Sequence, residues 1–209
     1  FLAAALAAGA APRAAAQPKG KAKVVSSLPR TGPAKGQTDG IVHAIRMALA
    51  DFAKGLPVEV EHLDWDYGTA RGAWDEKLER ENAEKAAADA DVVAVIGPYN
   101  SGAARVSASI LNKAGLVQVT PAASYPGLTK GGPLSDPDEP DKYRPGKKVT
   151  FCRVCPHDAS QGTLSAAFAA DELKVKSVYV LDDKELYGLG LATLFKAGCE
   201  GRQLKVLGH

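Results

Sequence analysis

The sequence predicts an α/β protein built on a doubly wound parallel sheet. Short apolar segments rich in β-branched residues, such as DVVAVI at 91–96, have the composition of buried strands. Segments of helical periodicity separate them, and the two types alternate along most of the chain. Strands buried on both faces and joined by helical crossovers are typical of parallel sheets. Right-handed crossovers then place helices on both faces of the sheet.

Hydrophobic periodicity gives the individual elements. In the first predicted helix, apolar residues such as Ile41, Ile45 and Phe52 share one face, and Gly55 follows as a stop signal. The second predicted strand alternates apolar and polar residues, which indicates a half-buried strand at a sheet edge. The predicted strands cover 23–28, 57–64, 91–96, 116–119, 149–154, 177–181 and 203–207. The predicted helices cover 37–54, 75–88, 101–114, 160–173 and 187–197.

Three regions are expected along the chain. Residues 1–22 are interpreted as a signal-peptide remnant and disordered tail. Residues 1–16 form an apolar stretch that is too short to span a bilayer, and the stretch ends in small residues that suit cleavage by signal peptidase. A disordered Ala-rich tail is the alternative. Residues 23–154 are expected to form a first lobe and 155–209 an incomplete second lobe. The proline-rich segment 120–148 is predicted to be a long surface loop, either functional or an insertion. The signal remnant implies export to the periplasm or the extracellular space.

Composition excludes some classes of partner. The chain has 209 residues, of which 45% are apolar and 24% charged, so a soluble globular fold is expected. The formal net charge is +2 and both signs are interspersed, so no single-sign field would recruit nucleic acid or an anionic membrane.

Three cysteines occur, at Cys152, Cys155 and Cys199. In an oxidising compartment at most one pair could form a disulfide. The redox CxxC spacing of Cys152 and Cys155 falls at the end of the predicted strand 149–154, and residues three apart along a strand point to opposite faces. Cys152 and Cys155 are therefore expected to be buried small apolar residues rather than a redox pair.

The most informative candidate site follows the third predicted strand, in GPYNSG at 97–102. Ligands of open parallel sheets bind beyond the carboxyl ends of the strands. Asn100 or Ser101 is predicted to cap the following helix, whose free N–H groups and positive dipole end would suit a carboxylate. The alternative is that Ser101 is only a helix cap and that Gly97 and Pro98 form only a turn.

Four blocks in fixed order resemble the branched-chain amino-acid (Leu/Ile/Val) family of type I periplasmic binding proteins. They are GPYNSGAA, LNKAGLVQVTPAASYPGLT, FCRVCPHDASQG and LDDKELYGLGLA. The resemblance spans about 23–207 and implies a periplasmic-binding-protein-like I fold, with one lobe and the start of a second. It also implies a monomeric receptor that closes over a small amino-acid-like ligand and delivers it to the permease of an ABC importer.

The same resemblance implies a set of ligand-binding residues. Ser101, Ala122 and Ser124 would hold the ligand's carboxylate and ammonium groups, and Tyr187 would close over the ligand. Tyr99 and Asn100 are further candidates in the same loop as Ser101. The acidic residue that often meets the ammonium group in this family would lie beyond His209.

Two other function classes remain as alternatives. An α/β enzyme is disfavoured, because the histidines are scattered, no Gly-x-Ser-x-Gly motif surrounds Ser101 and Gly188-Leu189-Gly190 lacks a third glycine. No catalytic residue, metal site or cofactor is therefore predicted. A ligand-sensing receptor domain would share the clamshell fold, whereas a repressor would need a basic DNA-binding headpiece that the N-terminus does not offer.

Overall fold

The computed structural model describes residues 20–72, 74–132 and 135–209. The strands are β1 (Lys21–Leu28), β2 (Glu59–Asp66), β3 (Val92–Ile96), β4 (Val117–Thr120), β5 (Phe151–Arg153), β6 (Ser177–Val178) and β7 (Lys205–Val206). The helices are α1 (Lys35–Phe52), α2 (Glu76–Ala88), α3 (Ser101–Lys113), α4 (Asp158–Ala167) and α5 (Leu186–Glu200). A π-helical turn, Phe168–Glu172, extends α4. No helix in these ranges is long and apolar enough to cross a membrane.

Five strands form one wholly parallel sheet in the order β2-β1-β3-β4-β5. Its core forms where Val25, Val92 and Val95 pack against Ala83 and Leu111 of the crossover helices. These residues lie in the segments predicted to be buried strands or helix faces. The predicted α/β class and parallel sheet are confirmed.

The second sheet is smaller, with β6 and β7 paired in parallel. Helices α4 and α5 pack beside it around the buried Ala166, Cys199 and Leu204. The predicted strand 177–181 is mostly wrong, because only its first two residues pair. Val180 is buried and its N–H still donates to the Gly208 carbonyl at 3.0 Å, but Leu181 at the end of the segment is 85% exposed.

Several element boundaries differ from those predicted. The second strand covers Glu59–Asp66, so it is shifted by two residues from 57–64, because its pairing with β1 continues to Asp66. The fifth strand keeps only Phe151–Arg153 of 149–154. The predicted tail 1–22 lies outside the described residues up to 19, and Lys21 and Ala22 belong to β1 rather than to a tail. The division into lobes at 154 and 155 stays a prediction.

The segment 120–148 was predicted to be a surface loop, and the structure corrects this in part. Glu139 is buried inside the segment and accepts hydrogen bonds from the hydroxyls of Tyr125 at 2.9 Å and Tyr143 at 2.5 Å. The backbone N–H of Asp136 donates to the same carboxylate at 3.0 Å. The segment therefore folds around one buried carboxylate rather than lying wholly on the surface.

The prediction that Cys152 and Cys155 are buried is wrong, whereas Cys199 is buried. Cys152 is exposed, and Cys155 is half-buried. Cys152 lies in β5, which ends at Arg153, so Cys155 lies in the bend that follows the strand. All three are free thiols.

Candidate functional site

A cleft of about 820 Å³ opens beyond the carboxyl ends of β3 and β4 and faces α4 and the start of α5. All six residues predicted from the sequence line it: Tyr99, Asn100, Ser101, Ala122, Ser124 and Tyr187. Helix α4 and its π-helical turn add Gln161, Leu164 and Phe168 to the opposite wall. The structure thus brings the candidates to one place, and their role in binding a ligand remains a prediction.

The β3 loop, residues 97–100, is held by a tyrosine that the sequence reasoning missed. Tyr67 is fully buried, and its hydroxyl accepts hydrogen bonds from the backbone N–H groups of Tyr99 at 2.7 Å and Asn100 at 3.2 Å. The same hydroxyl donates to Asn100 Oδ1 at 3.2 Å. Burial, and then the nearby Glu79, raise the pKa of Tyr67 well above its ordinary value, so the hydroxyl stays protonated.

The same loop crosses β1 closely at Gly97. Its φ is +126°, and a Cβ there would lie 2.1 Å from the carbonyl oxygen of Ser27. Any side chain would therefore clash with the backbone of β1 in a conformation that L-residues rarely adopt. Gly97 lets the β3 loop turn towards the cleft.

The predicted helix cap is wrong. Asn100 occupies the N-cap position of α3, but its side chain makes no capping hydrogen bond, because its Oδ1 is taken by Tyr67. Ser101 Oγ instead accepts from the backbone N–H of Tyr125 at 3.2 Å. A hydroxyl that accepts in this way still has its proton to donate. Ser101 can therefore offer a donor to an anionic group in the cleft.

The β4 loop, residues 121–128, is organised by Thr120, which is fully buried. The Thr120 hydroxyl donates to the Pro98 carbonyl at 2.6 Å and accepts from the N–H of Ala122 at 3.2 Å and of Ala123 at 2.8 Å. The carbonyl of Ala122 accepts no hydrogen bond from the described residues. It is an acceptor at the cleft wall.

Arg153 holds the outer side of the β4 loop. Its guanidinium donates to the carbonyls of Ala123 at 3.3 Å and Tyr125 at 3.0 Å, and to Thr129 Oγ1 at 2.7 Å. Burial lowers the pKa of Arg153. These contacts hold the β4 loop in place. Each of the three acceptors is an uncharged oxygen.

Asp158, the first residue of α4, adjoins the site and was not among the predicted residues. Its backbone N–H donates to the Ser124 carbonyl at 3.1 Å, which joins the β4 loop to α4. Its side chain is completely buried, and neither carboxylate oxygen has a well-formed hydrogen bond to any described residue. Burial raises the pKa of Asp158, and the neighbouring Ser124 hydroxyl, Arg153 and His157 oppose that increase.

The opposite wall mixes aromatic, aliphatic and polar side chains from α4, its π-helical turn and α5. Tyr187 is 40% exposed, and its hydroxyl accepts a hydrogen bond from Gln161 at 3.3 Å. Trp74 Nε1, from the segment between β2 and α2, donates to Glu185 Oε2 just before α5 at 3.0 Å. This contact links the five-stranded sheet's side of the molecule to the α5 side.

One Ser-His-Asp grouping lies outside the cleft. Ser26 donates to Asp64 at 2.8 Å, and His62 Nε2 lies 3.0 Å from the Ser26 hydroxyl. Ser26 is fully buried in β1, so a substrate has no access to it. Across residues 20–72, 74–132 and 135–209, no group of three or more His, Cys, Asp or Glu residues is arranged to hold a metal ion.

Comparison with known proteins identifies similar sequences. The family model described as periplasmic binding protein matches residues 21–209. The Leu/Ile/Val-binding protein BraC3 of Rhizobium johnstonii is 29% identical over 81% of this chain and 41% of its own length. The leucine-, isoleucine-, valine-, threonine- and alanine-binding protein of Pseudomonas aeruginosa is 29% identical over 88% of this chain and 44% of its own.

Solved structures of periplasmic solute-binding proteins have a similar fold. The leucine-binding protein LivK of Thermotoga maritima superposes with a TM-score of 0.74 at 25% identity, over 90% of this chain and 48% of its own. A solute-binding protein of Rhodopseudomonas palustris, solved with 4-hydroxybenzoate, has a TM-score of 0.70 at 19% identity, over 90% of this chain and 46% of its own. The chain thus spans less than half the length of these relatives.

Proposed function

Because this chain belongs to the periplasmic binding protein family, we propose that it forms part of an extracytoplasmic receptor that binds a small amino-acid-like solute for an ABC importer. Two relatives named for binding branched-chain amino acids support this ligand class. The receptor is exported to the periplasm or the extracellular space, acts as a monomer and has no catalytic activity.

The observation that carries the proposal is the chemistry of the cleft wall. Ser101 can donate its hydroxyl proton, the Ala122 carbonyl can accept a hydrogen bond, and Ser124 lines the same cleft with its hydroxyl-bearing side chain. An α-amino acid carries one acceptor group and one donor group on adjacent carbons. Donor and acceptor groups at one wall of a cleft, opposite a wall that includes Leu164, Phe168 and Tyr187, match such a ligand.

We further propose that the receptor works by closure. Groups on the β3 and β4 loops would bind one side of the ligand, and Tyr187 and α4 would contact the other. A ligand that touches both walls binds the closed state more tightly than the open one, so it shifts the population towards closure. The closed form is the state that a permease would recognise.

The test is a binding measurement on the complete gene product that contains this chain. Isothermal titration calorimetry with L-leucine, L-alanine and L-phenylalanine should find saturable binding for at least one of them. Ser101→Ala should weaken that binding roughly 10- to 100-fold, as expected when a hydrogen bond to a charged group is lost. Ser109→Ala on the same helix, away from the cleft, is the matched control and should bind as the wild type does.

Two results would contradict the proposal. The first is unchanged affinity in a folded Ser101→Ala protein. The second is a thermal-shift screen in which aromatic acids such as 4-hydroxybenzoate stabilise the wild type and amino acids do not, since only a ligand that binds the native state raises its stability.

A further inference from the structure

Trp74, in the segment between β2 and α2, lies on the β3 side of the cleft. Its backbone pairs with Gly68 in an isolated antiparallel bridge. Its indole ring lies against Gly102 in the first turn of α3, so closely that a Cβ at Gly102 would be 2.5 Å from Trp74 Cζ2. Gly102 directly follows Ser101, which lines the cleft. The lack of a side chain at Gly102 therefore leaves room for the indole beside the proposed ligand site.

Glu185 lies on the opposite side of the cleft, at the N-cap position of α5 and two residues before Tyr187, which lines the cleft. Its backbone N–H donates to Asp183 Oδ1 at 3.0 Å, so the preceding turn fixes its main chain. Helix N-caps are usually short polar residues whose side chains bond the N–H groups of their own helix. The Glu185 side chain makes no such bond. Its carboxylate is directed to a donor from another element instead.

A hydrogen bond joins these two residues across the cleft. Trp74 Nε1 donates to Glu185 Oε2 at 3.0 Å, and the residues are 111 positions apart in the chain. Neither is among the described residues that line the cleft. The bond therefore connects the two walls beside the space for a ligand and leaves that space open.

This bond is directional, unlike a second contact that the start of α5 makes with the other side of the molecule. Leu186 packs against the apolar cluster that contains Ala104 and Tyr125. Apolar packing is non-directional, so small sliding movements alter it little. An N–H···O bond needs a donor–acceptor distance of about 2.7–3.2 Å and an angle well above about 120°. The bond between Trp74 and Glu185 therefore forms only when the two walls are as close as they are here.

We propose that Trp74 and Glu185 form a latch: they are positioning residues that hold the two walls of the cleft together and slow ligand release without touching the ligand. This rests on the proposed function, because it assigns part of the stability of the closed state to one bond. An interaction made only in the closed state shifts the population towards that state and raises the apparent affinity for a ligand that binds it. The latch acts mainly on the dissociation rate, because the bond forms after the ligand has entered.

The first test measures ligand release from the complete gene product. The compound is whichever of L-leucine, L-alanine, L-phenylalanine and 4-hydroxybenzoate binds most tightly by calorimetry. Its radiolabelled form dissociates into an excess of the unlabelled compound, and rapid filtration follows the loss. Glu185→Ala and Trp74→Phe should each speed dissociation roughly 3- to 10-fold, as expected for the loss of one hydrogen bond, and should change the association rate little.

Three further proteins test whether the bond itself causes the effect. The variant with both substitutions should release the compound no faster than the single variants, because residues that act through one shared bond are not additive. Glu185→Gln keeps a carbonyl oxygen for the indole and should retain most of the wild-type residence time. Glu200→Ala is the matched control, because it removes an exposed glutamate from the other end of the same helix, and it should release the compound as the wild type does.

Fluorine NMR of protein labelled with 5-fluorotryptophan reports the latch directly. The Trp74 resonance is the one that Trp74→Phe deletes, and it should shift when the compound saturates the wild type, because the bond forms on closure. Glu185→Ala should reduce that shift. The resonance of Trp65, which lies on β2 with the Lys85 ammonium group 4.2 Å from its ring centroid, should stay unchanged as the internal control. A merely structural role for Trp74 would make its resonance independent of the ligand.

The outcomes separate this inference from the proposed function. If an amino acid binds and Ser101→Ala weakens it, but folded Glu185→Ala protein releases it at the wild-type rate, the latch is wrong and the proposed function stands. Additive effects in the double variant, or a Trp74 resonance that the bound compound does not move, also overturn the latch. If only 4-hydroxybenzoate binds and the variants speed its release, the latch stands and the proposed ligand class fails. If none of the compounds binds, both fail.

Discussion

The Thr120 hydroxyl donates a hydrogen bond of 2.6 Å to the carbonyl of Pro98 and so ties the β4 loop to the β3 loop. The same oxygen accepts from the N–H groups of Ala122 and Ala123. The two loops carry the donor and acceptor ends of the proposed ligand site. A single buried side chain from the scaffold therefore sets the spacing between the groups that would hold the two ends of an amino acid.

Thr120→Val tests this link. Valine has nearly the same shape, but it leaves the Pro98 carbonyl and the Ala123 N–H without their partner. Leaving a buried polar group unpaired costs about 1–3 kcal/mol, so the free energy of unfolding should fall by about that amount, and affinity for the amino acid should fall as well. Chemical denaturation and calorimetry measure the two effects.

The control for Thr120 is Thr193→Val on α5, where the exposed hydroxyl bonds only to the Leu189 carbonyl of its own helix. It should alter stability by less than about 0.5 kcal/mol, as surface substitutions usually do. Wild-type affinity in the Thr120→Val protein would show that the link does not organise the site.

Glu79 should make the protein less stable as the pH rises. This carboxyl is buried on α2 and accepts a hydrogen bond of 2.6 Å from the Ser27 hydroxyl, and burial raises its pKa to about 8. In the unfolded chain a glutamate has a pKa of about 4.3. Between these values the folded state keeps a proton that the unfolded state has lost, so stability falls by at most about 1.4 kcal/mol per pH unit from this group.

The corresponding variant is Glu79→Gln, which keeps an acceptor for Ser27 but cannot ionise. Urea denaturation at several pH values across the window should show that it loses this pH-dependent decline and is more stable than the wild type near pH 8. Glu76→Gln, an exposed position on the same helix, is the control and should keep the wild-type slope. A Glu79→Gln protein with the wild-type slope would mean that Glu79 is ionised in the fold.

The order of strands and helices could be predicted from the sequence, because buried strands and amphipathic helices each have a recognisable pattern of apolar residues. DVVAVI became β3, and the stretch that includes Ile45 became α1. The short β6 could not be predicted in this way. How far β6 extends depends on whether other parts of the protein cover residues such as Leu181. The residues of the segment itself do not determine this.

The site was predictable in its members but not in its internal connections. The resemblance located Ser101 and Ser124, and the structure places both at one cleft. Tyr67 and Thr120 hold the β3 loop through contacts that lie 32 and 22 residues away in sequence. The cap prediction at Asn100 was wrong for the same reason, since a distant hydroxyl competes with the local cap.

Thiol reactivity should report ligand binding directly at the cleft. Cys155 lines the cleft, burial raises its pKa, and its thiolate fraction at neutral pH is correspondingly small. Cys152 is exposed and Cys199 is buried. In a short pulse of iodoacetamide, Cys152 should react fastest, Cys155 more slowly and Cys199 slowest.

A saturating amino acid should slow the labelling of Cys155 several-fold, because the ligand and the closed wall cover it, and leave Cys152 unchanged as an internal control. Trypsin cleaves after Arg153 and separates the two cysteines, so mass spectrometry can quantify each in one sample. Cys152→Ser removes the faster thiol and should leave the ligand effect on Cys155 intact. Equal labelling of Cys155 with and without a ligand that calorimetry shows to be bound would mean that the ligand occupies another part of the protein.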